Sequence, residues 1–328
     1  MSKILSELRF DITTGDWVVI APQRAKRPQD FAKKVSIQKQ SSKDCSFCQP
    51  GIKTPKPILE TKNVVVIPNL YPAFAQNGGL NKRRVGPTIA MQGVGSHEII
   101  IFRDHNKFFP QMDIQEVKEI IDVYQKRYLD LKPKSLLNYI SIFHNHGPDA
   151  GASIYHPHSQ LIAIPILDPE IRKSLDQNQK YFKKNKRCPH CDLIKFELKE
   201  KERILFENDD FVAICPFASK ISFEIKIYPK KHLSYFEEID EKNKVSFAEI
   251  LQKSLYSIYK GLNNPSYNFF LNTSPCDNKD YNFYHWHLNI LPRTQIYAGF
   301  EFSTGIEIST IDPKDAGKYL KKYLITDN

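Results

Sequence analysis

Short runs of β-branched and aromatic residues recur along the first half of the chain, each bounded by turn-forming residues. Such runs are typical of buried or half-buried strands. The predicted strands cover residues 17–20, 64–67, 97–102 and 139–143, with a strand end at 162–166. Residues 114–131 instead space their apolar positions as an amphipathic helix does, directly after Asp113, a candidate N-cap. Residues 168–186 indicate a polar helix or connector.

The second half repeats this order of elements. Residues 241–262 predict a long amphipathic helix, and the predicted strands cover 204–206, 211–215, 223–228, 267–272 and 285–291. Each half therefore runs from strands to a long helix, a further strand and a histidine-rich strand. This repeat predicts an α+β fold of two domains, each an antiparallel sheet with packed helices. We expect the domains to cover residues 1–170 and 171–328.

Composition supports a folded protein and narrows its surroundings. With 328 residues, 41% of them hydrophobic, the chain is long and apolar enough for about two domains. No run approaches the 18 or so apolar residues of a membrane helix, and the first residues lack the apolar stretch of a signal peptide. These features predict a cytoplasmic protein without a membrane partner.

The formal net charge of +10 raises the question of a nucleic-acid partner. The lysines are spread among acidic residues, with only short runs such as residues 183–187, which are typical of a solvated face. No basic stripe with interleaved aromatic residues is evident, so we expect no nucleic-acid partner. A zinc-built nucleic-acid-binding protein is the alternative from another functional class. A basic balance also suits small anionic substrates, because it raises their local concentration.

Four of the six cysteines form two Cys-x-x-Cys pairs, and each pair is followed by a lone histidine and then a His-x-His. Tetrahedral zinc takes four nitrogen or sulfur ligands, and a Cys-x-x-Cys turn supplies two of them. One such pair could be redox-active or incidental, but the duplication favours two closed, structural zinc sites. The predicted ligands are Cys45, Cys48, His105 and His156 in the first set, and Cys188, Cys191, His232 and His285 in the second.

The histidines near these sets have plainer interpretations as well. His105 could be an ordinary surface-loop residue. His190, inside the second Cys-x-x-Cys pair, could compete as a ligand, but we expect it to point to solvent. His144 and His146 form another His-x-His without cysteine partners, and we expect both in a loop.

The segment around the first His-x-His also indicates chemistry. Residues two apart on a strand share a face, so His156, His158 and Gln160 should lie near one another. With His156 held by zinc, His158 is a positioned, metal-free imidazole that can attack phosphorus and form a covalent phosphoramidate. Gln160 could donate to the phosphoryl oxygen on which charge builds. The structural alternative is a pair of core-edge histidines with satisfied hydrogen bonds.

Phosphate chemistry also needs cationic partners. Arg24 and Arg27 lie in an arginine- and lysine-rich segment and suit bidentate contacts with diphosphate oxygens. A solvated turn is the alternative interpretation of the same residues.

Three segments together resemble a known family. Residues 7–28, residues 151–160 and the second His-x-His, His285 to His287, resemble galactose-1-phosphate uridylyltransferases, a branch of the histidine-triad superfamily. The resemblance extends over about residues 7–320. It implies two fused histidine-triad-like domains, a homodimer, and a ping-pong exchange through a nucleotidylated histidine, here His158. The substrates that it implies are a nucleotide sugar and a hexose 1-phosphate.

The resemblance also implies roles for single residues. By motif position the first cysteine and histidine set matches the family's zinc ligands, and Gln160 matches its phosphate-stabilising glutamine. The implied substrate-binding residues are Arg24, Arg27, Asn69, Asn145, Ser153, Phe300 and Glu301, the last two in a hexose-binding stretch. His287 occupies the place of His158 in the second half. We predict that it is structural, because its neighbours do not reproduce the serine and glutamine of the first half.

The chain departs from the best-known transferases in two respects. Because it has a second Cys-x-x-Cys pair, the chain resembles a two-zinc subgroup that includes bacterial uridylyltransferases and plant ADP-glucose phosphorylase. Gln295 and Ile296 stand where the family has a lysine and an aromatic residue, and the family's later hexose-contacting glutamine is not evident at 304–307. The resemblance as a whole gives the first hypothesis, which is transfer of UMP from UDP-glucose to galactose 1-phosphate. The alternative is a nucleotide-sugar phosphorylase that uses inorganic phosphate as the acceptor.

Overall fold

A computed structural model describes residues 6–24, 39–49, 55–134 and 136–324. The strands are β1 (Glu7–Phe10), β2 (Trp17–Ile20), β3 (Leu59–Glu60), β4 (Val64–Pro68), β5 (Arg83–Val85), β6 (Thr88–Ala90), β7 (Ser96–Phe102), β8 (Tyr139–His146), β9 (His158–Ile164), β10 (Ile204–Glu207), β11 (Phe211–Ile214), β12 (Ile225–Pro229), β13 (Tyr267–Asn272), β14 (His287–Pro292) and β15 (Ile308–Ser309). The helices are α1 (Ile114–Leu131), α2 (Pro169–Asn185), α3 (Pro189–Glu200), α4 (Glu241–Gly261), α5 (Gly299–Thr304) and α6 (Pro313–Lys321).

A ten-stranded antiparallel sheet runs through both halves, in the order β10-β11-β12-β14-β13-β8-β9-β7-β4-β3. First-half strands occupy one end and second-half strands the other. They join where β8 pairs with β13, with Asn145 opposite Asn268. The predicted α+β class with antiparallel sheets and packed helices is confirmed, and the two sheets are continuous. The domain division near residue 170 stays a prediction.

The two long helices cover one face of this sheet. Asp113 caps α1 by accepting from the Glu116 backbone N–H, and Asp240 caps α4 in the same way from Asn243. The apolar stripe of each helix packs on the strands, because this removes apolar surface from water. In β9 the side chains alternate, so Leu161 and neighbours two residues away face the helices. His158 and Gln160 consequently lie on the opposite face.

The chain's first strands pack against its second half. β1, β2 and β15 form a three-stranded sheet in which β15 runs parallel to β2. Arg9 of β1 donates to Asp312 at 2.6 Å, and Lys226 of β12 donates to Asp11 at 3.1 Å. The polar segment 168–186 is a helix, α2, rather than a connector. None of the helices in the described ranges is both long and apolar enough to cross a membrane.

Candidate active site and metal centres

The first predicted ligand set comes together beside the N-terminal end of β9, where His156 precedes the strand. The four ligand atoms of Cys45, Cys48, His105 and His156 lie within 4.8 Å of one another. The two Nδ1 atoms are 3.2 Å apart, and the Sγ atom of Cys48 lies 3.3 Å from His105 Nδ1 and 3.2 Å from His156 Nδ1. His105 is therefore a member of this cluster and not an ordinary surface-loop residue.

The hydrogen bonds of the two imidazoles fit a metal ion. His105 Nε2 donates to the carbonyl of Gln40 at 2.7 Å, and His156 Nε2 donates to the carbonyl of Phe102 at 2.5 Å. A carbonyl can only accept, so each Nε2 carries the proton and each Nδ1 presents a lone pair to the cluster. This arrangement of imidazole N–H groups on backbone carbonyls is the usual outer shell of a zinc site. Two sulfurs and two lone-pair nitrogens could hold a tetrahedral ion with no open position.

The second set repeats the arrangement. Its ligand atoms also lie within 4.8 Å of one another. The Sγ atom of Cys191 is 3.2 Å from His232 Nδ1 and 3.5 Å from His285 Nδ1. His285 Nε2 donates to the carbonyl of Pro229 at 3.0 Å, so its Nδ1 again faces the sulfurs. Cys188, the N-cap residue of α3, completes the set. Both sets fit zinc by number, type and orientation of ligands.

His158 begins β9, two residues after the ligand His156. Its Nδ1 donates to the carbonyl of His156 at 2.8 Å, which places the lone pair on Nε2. The Phe47 ring lies edge-on to the imidazole at a centroid distance of 5.2 Å. Burial lowers the pKa of His158, which favours the neutral ring. In the described part of the chain its Nε2 makes no hydrogen bond, so the protein leaves the lone pair of this nitrogen unengaged, and the residue as a whole is 7% exposed.

Gln160 lies two residues further along the same face, as the strand period predicts. Its Oε1 is 2.9 Å from Nε2 of His97, a buried residue of β7. His97 also contacts Asn69, whose Nδ2 lies 3.1 Å from His97 Nε2 and 3.4 Å from Nδ1. Asn69 therefore lies near Gln160 through His97, on the same face of the sheet.

Asn145 lies where the two halves join. Its Oδ1 accepts from Asn268 Nδ2 at 2.7 Å, and Asn268 Oδ1 accepts from Arg293 Nε at 2.6 Å. Asn268 also donates to the carbonyl of Ala150 at 2.9 Å. The Asn145 oxygen is thus occupied, and its amide N–H groups are the part left to face a ligand. Two second-half residues hold this first-half side chain in place.

Two cavities adjoin His156, the ligand beside His158. One, of about 600 Å³, is lined by Asn145, Phe108 and the exposed Ser153, among other residues. The other, of about 640 Å³, is lined by Phe47, Cys48 and the strand residues Ile67 and Ile101. Each volume lies within the usual range for small-molecule sites, and the second cavity combines apolar side chains with the charged residues Lys56, Glu60 and Arg103.

The other predicted substrate-binding residues lie apart from this face. Arg24 is exposed at the end of a short 3-10 helix, and Arg27 lies outside the described residues. Phe300 and Glu301 lie in α5, where Glu301 caps the helix by accepting from the Ala298 N–H at 2.9 Å. No contact joins Arg24, Phe300 or Glu301 to His158 within the residues that the structure describes. Their substrate-binding roles stay predictions.

Three histidine predictions are wrong. His190 is fully buried rather than directed to solvent, and its ring packs on His287 at a centroid distance of 5.0 Å. It points inward because it lies on the side of α3 that packs on the sheet, where its ring also contacts Tyr228 and Tyr284 at centroid distances of 5.6 and 5.5 Å. His144 and His146 lie in β8 rather than in a loop, because pairing with β13 extends the strand to His146. His144 Nδ1 lies 3.2 Å from the Ser159 hydroxyl, and His146 Nε2 donates to Asn264 at 2.8 Å.

Sequence reasoning missed His97, Asn268 and Arg293. His97 stood inside a predicted strand, and the i, i+2 rule gave its face but not its neighbours. Asn268 was likewise one polar residue in an apolar strand. A buried polar side chain needs a partner, and that rule was the available signal. Finding the partner required the order of strands in the sheet.

Comparisons with known proteins identify the family to which this chain is similar. A family model described as galactose-1-phosphate uridyl transferase, N-terminal domain, matches residues 1–167, and a domain of unknown function matches residues 89–326. The ADP-glucose phosphorylase of Arabidopsis thaliana is 34% identical over 98% of this chain and 93% of its own length. The galactose-1-phosphate uridylyltransferase of Thermotoga maritima is 27% identical over 97% of this chain and 98% of its own.

Solved structures show the same overall fold. The crystal structure of the Arabidopsis thaliana ADP-glucose phosphorylase with bound ADP-glucose superposes with a TM-score of 0.80 at 31% identity. It covers 98% of this chain and 100% of that one. A uridylyltransferase structure superposes with a TM-score of 0.77 at 23% identity, over 97% of this chain and 98% of that one.

Proposed function

Because the chain belongs to the galactose-1-phosphate uridylyltransferase family, we propose that it transfers a nucleotidyl group from a nucleotide sugar to a phosphate acceptor through His158. The observation that carries this proposal is the fixed tautomer of His158. Its Nδ1–H is bonded to the His156 carbonyl, so Nε2 carries the lone pair, on the face of the sheet opposite the long helices. A neutral imidazole held in this way is a nucleophile that needs no separate base.

The exchange divides into two displacements at the same phosphorus. In the first, Nε2 of His158 forms a bond to the α-phosphorus of UDP-glucose, and the phosphorus–oxygen bond to glucose 1-phosphate breaks with the electron pair leaving on that oxygen. In the second, a phosphate oxygen of galactose 1-phosphate attacks the same phosphorus. The N–P bond breaks, and the electron pair returns to the imidazole. Gln160 donates to the phosphoryl oxygen that gains charge in each step.

The second candidate is phosphorolysis of ADP-glucose, with inorganic phosphate as the acceptor of AMP. One structural observation favours it. Gln295, which stands at the position of the family's lysine, donates through Nε2 to the Ile308 carbonyl at 3.0 Å, and Ile296 is 87% exposed. Neither residue supplies the cation and aromatic surface that a hexose-phosphate acceptor would use. The 34% identity to the plant phosphorylase supports the same candidate.

We also propose that both cysteine and histidine sets bind zinc. Each would be a closed site that fixes loops and strand ends, and the first would hold His156 so that its carbonyl orients His158. A homodimer, a cytoplasmic location and a hexose 1-phosphate acceptor belong to the same proposal. The proposal includes no nucleic-acid or membrane partner.

Intact-protein mass after incubation with UDP-glucose or ADP-glucose tests the covalent step. We expect wild type to gain the mass of UMP or AMP, and His158→Ala to gain neither. A gain from UDP-glucose alone supports the uridylyltransferase, and a gain from ADP-glucose alone supports the phosphorylase. A folded, metal-loaded wild type that gains no mass from either nucleotide sugar refutes the covalent mechanism.

A further inference from the structure

His97 is a buried polar residue beside the proposed reaction centre that neither metal set uses. It lies in β7, next to β9 in the sheet, and is 8% exposed. Its neighbours on the same face are Ile99, which pairs with Gln160, and Ile101, which pairs with His158. An imidazole among such apolar side chains must have its hydrogen bonds satisfied within the protein.

The hydrogen bonds of His97 define its tautomer. The backbone N–H of Ala73 donates to Nδ1 at 3.3 Å, so Nδ1 is the acceptor. Nε2 carries a proton, because it faces Oε1 of Gln160, an acceptor, at 2.9 Å. Asn69 accepts the Tyr71 N–H through its Oδ1 at 2.9 Å, which turns its NH2 group toward the His97 ring. Asn69 Nδ2 lies 3.1 Å from Nε2 and 3.4 Å from Nδ1 of this ring, so Asn69 packs against the imidazole while Ala73 and Gln160 bind its two nitrogens.

This hydrogen bond decides which end of the Gln160 amide faces the substrate. With Oε1 engaged by His97, the NH2 group points the other way, and it makes no hydrogen bond to the described residues. Without His97, the terminal amide could rotate by half a turn at little cost. It would then present its oxygen, an acceptor, to an anionic phosphoryl group, which would repel it. The Nε2–H of His97 thus keeps the Gln160 amide in the orientation that stabilises the phosphoryl group.

We propose that His97 is a positioning residue that fixes the Gln160 amide with its NH2 group toward the phosphoryl group transferred through His158. The inference rests on the proposed function and adds to it a residue that never touches the substrate. Preorganised donors are effective because they need no reorientation when charge develops. Loss of such a donor costs a factor of about 10²–10³ in rate, and loss of its orientation alone should cost less, about 10- to 100-fold.

The test measures the single-turnover rate of His158 nucleotidylation at saturating nucleotide sugar, whichever of UDP-glucose and ADP-glucose labels wild type. His97→Phe keeps the ring volume but removes the donor, and His97→Gln restores an N–H near the position of Nε2. We expect His97→Phe to slow labelling about 10- to 100-fold with KM within about threefold, and His97→Gln to recover most of the rate. Ile99→Val, a small change in packing beside Gln160, is the matched control and should leave the rate within about twofold.

A double-mutant cycle separates positioning from general support of the fold. If His97 acts only through Gln160, then His97→Phe should cause no further loss in a Gln160→Ala background. The inference is overturned if His97→Phe labels at the wild-type rate, or if it slows the Gln160→Ala protein by its full factor. Melting temperature and zinc content, measured on every variant, exclude unfolding as the cause.

The hydrogen bond has a second readout that needs no catalysis. In ¹⁵N-histidine NMR spectra, the Nε2–H of His97 should be protected from exchange in wild type and lose that protection in Gln160→Ala. Absence of mass labelling in wild type would refute the proposed function, and the NMR result would still decide the His97–Gln160 bond. Labelling in wild type with an unaffected His97→Phe would refute only the positioning role.

Discussion

The two halves of the chain carry the same arrangement of predicted metal ligands beside two different histidines. In each half a ligand histidine donates from Nε2 to a backbone carbonyl, Phe102 in the first half and Pro229 in the second. In each half the histidine two residues later donates from Nδ1 to the ligand's own carbonyl, at 2.8 Å for His158 and 3.1 Å for His287. Both therefore have the tautomer of a nucleophile, and the tautomer alone does not make a reactive site.

The difference lies in what covers Nε2. Asn272 lies 3.3 Å from Nε2 of His287, and the rings of His190 and Tyr228 pack against the imidazole at 5.0 and 5.1 Å. Burial, with Lys226 nearby, lowers the pKa of His287 to about 3. The residue two positions after His287 is Asn289, whose buried Oδ1 accepts no hydrogen bond from the described residues. Nε2 of His287 thus has an amide and two packed rings beside it, whereas Nε2 of His158 makes no hydrogen bond to the described residues. A repeated arrangement of ligands therefore does not by itself repeat the surroundings of the second histidine.

The largest predicted contrast comes from the same substitution at both histidines. Asparagine can keep a donor near the position of Nδ1 while it removes Nε2. His158→Asn should reduce formation of the covalent nucleotide by a factor on the order of 10³ or more, because the nucleophile is gone. His287→Asn should change it by no more than about threefold. Intact-protein mass after timed incubation measures both. A folded His287→Asn protein with both metals that forms no adduct would show that the second histidine takes part in the reaction.

A second contrast concerns the metal sets. Cys45→Ser and Cys188→Ser should each lower zinc content from two ions to one per chain, and each should destabilise the fold by roughly 4 kcal/mol or more. Only Cys45→Ser should also slow nucleotidylation, because His156 supports His158 through its carbonyl. Elemental analysis, thermal unfolding and labelling rate at a temperature where both variants stay folded give the three readouts. Equal loss of labelling in the two variants would contradict the prediction that only the first metal set supports His158.

The sequence was sufficient for the parts of the molecule that repeat at short range. The α1 helix begins and ends at the predicted residues with its predicted Asp113 cap, and β13 covers residues 267–272 as expected. Period and caps are local signals, and the metal sets were found because duplication made a weak motif specific.

What the sequence did not contain was the order of strands. The pairing of β8 with β13 makes two expected sheets continuous and places Arg293 and Asn268 behind Asn145. Pairing of β7 with β9 brings His97 to Gln160. Such contacts join residues far apart in the chain, and strand pattern constrains the face of a side chain but not its neighbouring strand. The burial of His190 was missed for the same reason.

The smallest predicted contrast concerns the buried ion pair beside His287. Burial alone would raise the pKa of Asp11, but Lys226 and the Thr13 hydroxyl and N–H outweigh it and lower the pKa to about 2. Glu224 and Tyr228 lie in the same charged environment, and burial raises the pKa of Glu224. A carboxyl whose pKa is lower in the folded than in the unfolded state stabilises the fold above about pH 4, its unfolded value, by about 2 kcal/mol. That contribution is lost as the pH falls toward 2.

Asp11→Asn should therefore lower the free energy of unfolding at pH 6, and the gap to wild type should narrow as the pH falls from 4 toward 2. Urea unfolding at a series of pH values measures the gap. Zinc release at low pH affects both proteins alike, so the difference between them reports the ion pair.

Asp312→Asn, which removes the partly exposed partner of Arg9, is the matched control and should cost about 1 kcal/mol or less. If the difference in free energy of unfolding between Asp11→Asn and wild type does not change with pH, the ion pair does not cause it. A loss of nucleotidylation in folded Asp11→Asn would mean that the second half contributes to the reaction itself, because this pair lies beside His287.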